Sequence, residues 1–185
     1  MIHEDLVIYN VKNGKTEDFG LIVEKYKDSL YSYIFYSVKD EGAAGDIFQD
    51  SMLKALTEIQ KYKEKGKFKA WLFTIARNKI TDYFRKASKT VSLDDDENGE
   101  RADSADNTES KALSNISLEE ISSFIDKLPQ AQKEVILLRQ YLSFKEIADA
   151  LSCPLGTVLA RMSRAVKKLQ EFMGGRICSP NTIKK

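Results

Sequence analysis

The chain is poor in the residues that staple or metallate a fold. Of its 185 residues only Cys153 and Cys178 are cysteine, and one is histidine. Two cysteines cannot build a disulfide scaffold, and with a single histidine they make no zinc-ligand spacing. No stretch approaches the roughly 20 apolar residues that a membrane span requires. The opening MIHEDLVIYN carries acids where a secretion signal needs a basic region. No convergent nucleophile, acid–base pair or metal set stands out, so the expectation is a reduced, cytoplasmic protein that is not an enzyme and needs no cofactor, metal or membrane insertion.

What is present is a charged, soluble composition: 42% apolar and 31% charged residues with a net charge of +1. That balance excludes a uniformly basic coat. It conceals a division, because residues 1–86 hold 15 Lys/Arg against 13 Asp/Glu, residues 87–118 hold 3 against 8, and residues 119–185 hold 11 against 7. An acidic middle between two mildly basic ends hints at nucleic-acid contact by the ends. The segment LDDDENGERADSADNTES has no aromatic and almost no aliphatic residue. It cannot bury enough apolar area to offset its ordering entropy, which predicts a flexible acidic linker over 87–115 between units at 1–86 and 116–174, with a frayed tail at 175–185.

Apolar spacing predicts helices throughout, hence an all-α protein of two small helical domains. A short helix over 2–12 ends at Asn13-Gly14. Thr16 is placed as the N-cap of a long helix to about Val38, carrying Phe19, Ile22, Val23, Tyr26, Leu30, Tyr33 and Ile34. After Asp40-Glu41-Gly42 a helix from about Ala43 to Ile59 buries Ile47, Phe48, Met52, Ala55, Leu56 and Ile59. Asp46, Gln49, Asp50 and Leu53 line its other side at i, i+3, i+4, i+7. Leu53 gains nothing from water, so this row suits docking to a basic partner with an apolar anchor; a solvated face with a stray leucine is the plainer alternative.

The loop from Gln60 to Lys67 sets Lys61, Lys63, Lys65 and Lys67 among Tyr62 and Phe68, a place able to seat a phosphodiester chain and an unstacked base. The helix Phe68 to Lys86 then puts Leu72, Ile75, Ala76, Ile80 and Tyr83 on a core face, widened by Phe73 and Phe84. Trp71, Thr74, Asn78, Thr81 and Arg85 form a polar and basic stripe opposite. In the second unit a helix with Ile116, Leu118, Ile121, Phe124, Ile125 and Leu128 precedes Pro129 and a helix from Gln130 to Tyr141. Ser143 to Glu146 is a capping box opening the helix Phe144 to Leu151. The turn Ser152-Cys153-Pro154 leads to a helix from Leu155 to about Met173, with Val158, Met162, Ala165, Val166 and Leu169 on one side and Arg161, Arg164, Lys167 and Lys168 on the other. A capped helix, a short turn and a one-sided basic helix form the helix-turn-helix pattern.

GDIFQDSMLKAL, the series Trp71, Leu72, Ile75, Ala76, Arg77, Asn78, Asp82, Arg85, and LPQAQKEVILLRQYLSFKEIADALSCPLGTVLARMSRA together resemble the bacterial extracytoplasmic-function (group IV) sigma factors of the sigma-70 family. The likeness covers about 16–86 and 116–173. It implies core RNA polymerase as partner, with Asp46, Gln49, Asp50 and Leu53 on the largest-subunit coiled coil and a further contact at the flap. It implies minus-10 promoter contacts by Lys61, Lys63, Lys65, Lys67, Trp71, Arg77, Asn78, Arg85 and Lys86, opening the duplex and holding a flipped base. It implies minus-35 contacts by Thr157, Leu159, Ala160, Arg161, Arg164 and Lys168. An anti-sigma factor is also expected from the family. The chain departs from the pattern at Leu159 and Ala160, which cannot donate to guanine, and in its lysine-rich loop. From the residues alone, a dimeric helix-turn-helix regulator with an N-terminal sensing domain remains the other reading.

Overall fold

The computed structural model describes residues 4–63, 66–91 and 118–172, with backbone only at 88–91 and 118–119. All regular structure among the described residues is helical. The first unit comprises α1 (Glu4–Lys12), α2 (Phe19–Val38), α3 (Glu41–Glu58) and α4 (Phe68–Val91), with 3₁₀ turns at Thr16–Asp18 and Ile59–Lys61. The second comprises α5 (Leu118–Asp126), α6 (Gln130–Arg139), α7 (Phe144–Ala150) and α8 (Leu155–Phe172).

Local chemistry accounts for the boundaries, and three differ from the sequence expectation. Thr16 does not cap α2; it opens the 3₁₀ turn, no side chain caps α2, and Asp18 instead accepts a hydrogen bond from Asn10 Nδ2 at 2.8 Å. Helix α3 starts at Glu41, two residues before the expected Ala43, because the extended Asp40 accepts from the Ala43 N–H at 2.7 Å and satisfies a free amide of the first turn. Helix α2 closes at Lys39 in the left-handed conformation, φ 59°, donating to the Phe35 carbonyl. The capping box at α7 is formed: Glu146 N–H donates to Ser143 Oγ at 3.3 Å and Ser143 N–H to Glu146 Oε2 at 2.7 Å. Helix α4 runs five residues beyond Lys86, so the proposed linker start at 87 falls inside a helix. Residues 92–117 and 173–185 lie outside the described residues, and with them most of the acidic linker and the tail.

The first core is built by α2, α3 and α4, with Leu30, Ile34, Phe68, Leu72 and Phe73 fully enclosed. Each such side chain contributes about 1.5–3 kcal/mol relative to exposure. Val7, Ile8 and Val11 of α1 close the side against α2. In the second unit Val135, Leu138, Leu142, Ile147 and Val158 form the corresponding centre. The two units are packed together: α4 lies against α7 and α2 against α6, and the buried residues of both make one continuous apolar cluster.

Candidate nucleic-acid interface

The spacing that gave α3 a second face places Asp46, Gln49, Asp50 and Leu53 together on its exposed side. Leu53 is 61% exposed, an apolar side chain with no core to join. Asp50 accepts from Lys79 Nζ of α4 at 2.8 Å, which fixes one acid of the row without covering it.

The lysine loop is held from behind. Tyr62 is buried, its ring T-shaped against Phe68 at 5.3 Å and tilted on Trp71 at 5.4 Å, and its hydroxyl accepts the Lys67 N–H at 3.0 Å. Tyr62 and Phe68 therefore brace the loop and cannot seat a base; their aromatic character was legible, but not the side they face. On the N-terminal flank, Lys12 donates to the Tyr62 carbonyl and Gln60 Nε2 to the Lys12 carbonyl at 2.7 Å. Lys61 and Lys63 are exposed, Lys61 pairing with Glu58 at 2.9 Å, whereas Lys65 lies outside the described residues.

Along α4 the proposed stripe separates into parts. Trp71 is half-buried between Tyr62 and Phe68, leaving one part of its ring toward a cleft. Asn78, Arg85 and Lys86 are exposed, and Arg85 pairs with Asp82 at 2.9 Å. Arg77 is different: its Nε donates to Glu134 of α6 at 2.9 Å, and the two side chains are 31% and 16% exposed. In this conformation Arg77 faces the second unit rather than the open stripe. Phe73, read from sequence as a widening of the core face, is wholly enclosed between Tyr33 and Tyr141, each ring centroid 5.4 Å away. Glu134 and Tyr141 carried no sequence signal, since an acid in an early helical turn and an aromatic after a helix are ordinary in isolation.

Loop, Trp71 and Thr74 on one side and Ala148, Asp149 and Cys153 on the other enclose a cleft of about 710 Å³. Lys67 Nζ reaches Asp149 across it at 3.3 Å. The enclosing walls thus pair lysines and an indole with an acid of the helix-turn-helix unit.

In that unit Ser152 occupies the left-handed region at φ 49° and turns α7 into α8. Val158 and Ala165 of α8 are buried, Arg161 and Thr157 half-buried, and Arg164 and Lys167 exposed. No ion pair links Arg161, Arg164, Lys167 or Lys168 to an acid among the described residues. Leu159 projects outward at 45% exposure with Ala160 beside it, so this part of the helix offers apolar contact while its cations follow one turn later.

The Sigma-70 region 2 family matches residues 22–90 and the Sigma-70, region 4 family residues 118–169. The chain is 32% identical over 178 residues to the ECF RNA polymerase sigma factor SigW of Bacillus subtilis (strain 168), covering 89% of this chain and 93% of that one. It is 28% identical to the ECF RNA polymerase sigma factor BldN of Streptomyces coelicolor, spanning 90% of this chain and 64% of that longer protein. Among solved structures, the sigma factor RpoE in complex with the anti-sigma factor NepR from Bartonella quintana superposes with a TM-score of 0.71 at 26% identity, covering 87% of this chain and 99% of that one. With both units matched in order, and with a relative 32% identical over nearly the whole of both chains, the chain belongs to the extracytoplasmic-function RNA polymerase sigma factors of the sigma-70 family.

Proposed function

We propose that this chain docks on core RNA polymerase through α3, opens and holds the minus-10 element with the lysine loop and α4, and reads the minus-35 element with α8. The exposed row Asp46, Gln49, Asp50, Leu53 carries the reading, because a regulator that only binds duplex DNA has no use for it. Its acids and amide match basic side chains, and its leucine supplies an apolar anchor in the middle. Helix α8 supports the second half: unpaired cations on an outward face make phosphate contacts, and Thr157, Leu159 and Ala160 sit near the helix N-terminus that enters a major groove. Leu159 and Ala160 favour thymine methyl groups over guanine. The protein supplies positioning while polymerase supplies the chemistry, so it works in the cytoplasm beside the chromosome. An anti-sigma factor, as in the Bartonella quintana complex, is the expected inhibitor.

Run-off transcription with core polymerase on the DNA upstream of its own gene tests the reading. Promoter-specific transcripts are expected only when the factor is present. A duplex mobility shift without polymerase, together with no transcript, would favour the dimeric regulator.

A further inference from the structure

The cleft between the lysine loop and the α7–α8 turn has the size, walls and charge of a small-molecule site. Its volume of about 710 Å³ falls in the range of ligand pockets, roughly 300–1,000 Å³. Trp71 packs against Tyr62 and Phe68, each centroid 5.4 Å away, which fixes the indole while the rest of it lines the cleft. Ala70, Ala148 and Pro154 add apolar surface for a flat ring. Lys61, Lys63 and Lys67 supply cations against one acid, Asp149, among the described lining residues. Lys61 and Lys63 are exposed, Lys61 shared with Glu58 at 2.9 Å, whereas Lys67 is tied to Asp149 at 3.3 Å.

That combination selects among anions. Inorganic polyphosphate uses the lysines but leaves the indole and its apolar surround idle. A DNA strand uses both, yet it carries a phosphodiester on each side of every sugar and no free sugar hydroxyl within the strand. Asp149 repels such a chain and receives no hydrogen bond from it. A nucleoside 5′-polyphosphate matches all three features: stacking for its base, ammonium groups for its phosphates, and for its ribose hydroxyls a carboxylate that only accepts.

We infer that this cleft binds a ribonucleoside 5′-polyphosphate, with the base on Trp71, the ribose hydroxyls at Asp149 and the phosphates at Lys61 and Lys63. A stacked nucleotide and a captured DNA strand then compete for the one indole, so the nucleotide level sets how readily the factor takes a promoter strand. Only this competition rests on the function proposed above for Trp71.

Trp71 is the only tryptophan in the chain, so the intrinsic fluorescence of the full protein reports on the cleft. ATP should quench it saturably, with half-saturation below about 1 mM. Adenosine, followed by the same signal, and tripolyphosphate, followed by calorimetry, each hold part of the ligand and should bind at least about tenfold more weakly. Lys61→Ala with Lys63→Ala should weaken ATP binding about tenfold. Lys27→Ala with Lys54→Ala makes the same charge change on exposed lysines of α2 and α3 and should leave it within about twofold. 2′,3′-Dideoxy-ATP should bind more weakly than ATP to the wild type, and no differently from ATP to Asp149→Ala. The site is overturned if ATP gives no saturable quench at millimolar concentration, if tripolyphosphate binds as tightly as ATP, or if the lysine control loses as much as the cleft pair. A dideoxy analogue that binds as well as ATP to the wild type overturns the role of Asp149. ATP should also displace fluorescein-labelled dT20; a complex holding both, or no dT20 binding at all, overturns the competition. Because ATP binding is read without DNA or polymerase, its failure leaves the promoter role standing, and an absence of run-off transcripts leaves the nucleotide site standing.

Discussion

Replacing Leu53 by alanine tests the docking row where its magnitude can be worked out. Moving a leucine side chain fully out of water is worth about 1.5–3 kcal/mol, and 61% of this one is still in water, so docking has about 1–2 kcal/mol left to gain from it. Leu53→Ala should therefore weaken polymerase binding by about 5–30-fold. The same exposure means that the fold loses little; surface substitutions of this kind stay within about 0.5 kcal/mol, or roughly 1–2 °C in a chain of this size. The assay is a fluorescence-anisotropy titration of labelled protein with core polymerase, run beside thermal unfolding followed by circular dichroism. A change in Kd below twofold would refute the anchor. A fall in Tm of 5 °C or more would refute the premise that the side chain is idle in the folded state. Asp50→Arg completes the case: it gives up the Lys79 contact at 2.8 Å, a largely exposed pair of small value, and should abolish association with little change in Tm.

Other outcomes follow from single features. Ser143→Ala removes the capping box of α7 and should cost about 0.5–2 kcal/mol, read as an earlier midpoint in urea; an unchanged midpoint would show that tertiary packing alone holds that helix start. Arg161→Ala with Arg164→Ala should weaken minus-35 duplex binding by about 1–3 kcal/mol per base contact, or lower the salt slope by about 1 per phosphate contact, in filter binding across a salt series. Burial pushes the Tyr26 and Tyr33 hydroxyls well above the ordinary tyrosine range, aided by a hydrogen bond to Glu4 at Tyr26 and by the nearby Glu134 at Tyr33. Above about pH 10 the unfolded chain gives up protons that the native state keeps, so Tm should hold below pH 10 and fall beyond it; a Tm that rises there contradicts the burial.

Much of the architecture was legible because helical periodicity and caps are local. The capping box at Ser143, the faces of α3 and the division of α8 into apolar and basic sides needed only residues within a turn or two of one another. The misplacements have a common cause. Asp40 to Gly42 carries the composition of both a turn and a helix start, and only the Asp40 hydrogen bond to Ala43 decides between them. Tyr62 has the composition of a surface aromatic in a lysine loop, yet three neighbours distant along the helix or across the loop enclose it. Arg77 lies on the border of the two faces of α4, and no single-helix argument can assign it, because its partner is 57 residues away in the other unit. Contacts between units leave no period in the sequence, so the pairing of Arg77 with Glu134 and of Lys67 with Asp149 was the part that could not be read.

The lysine loop is tethered to α1 through the Lys12 contact with the Tyr62 carbonyl and the Gln60 hydrogen bond to the Lys12 carbonyl. Helix α1 lies before residue 22, where the region 2 match begins. A segment outside the matched region thus helps to hold a loop that lies inside it. The chain on either side of Lys61 is thereby anchored to the N-terminal helix through Gln60 and Tyr62, so a change in α1 is felt at the loop although no loop residue is altered.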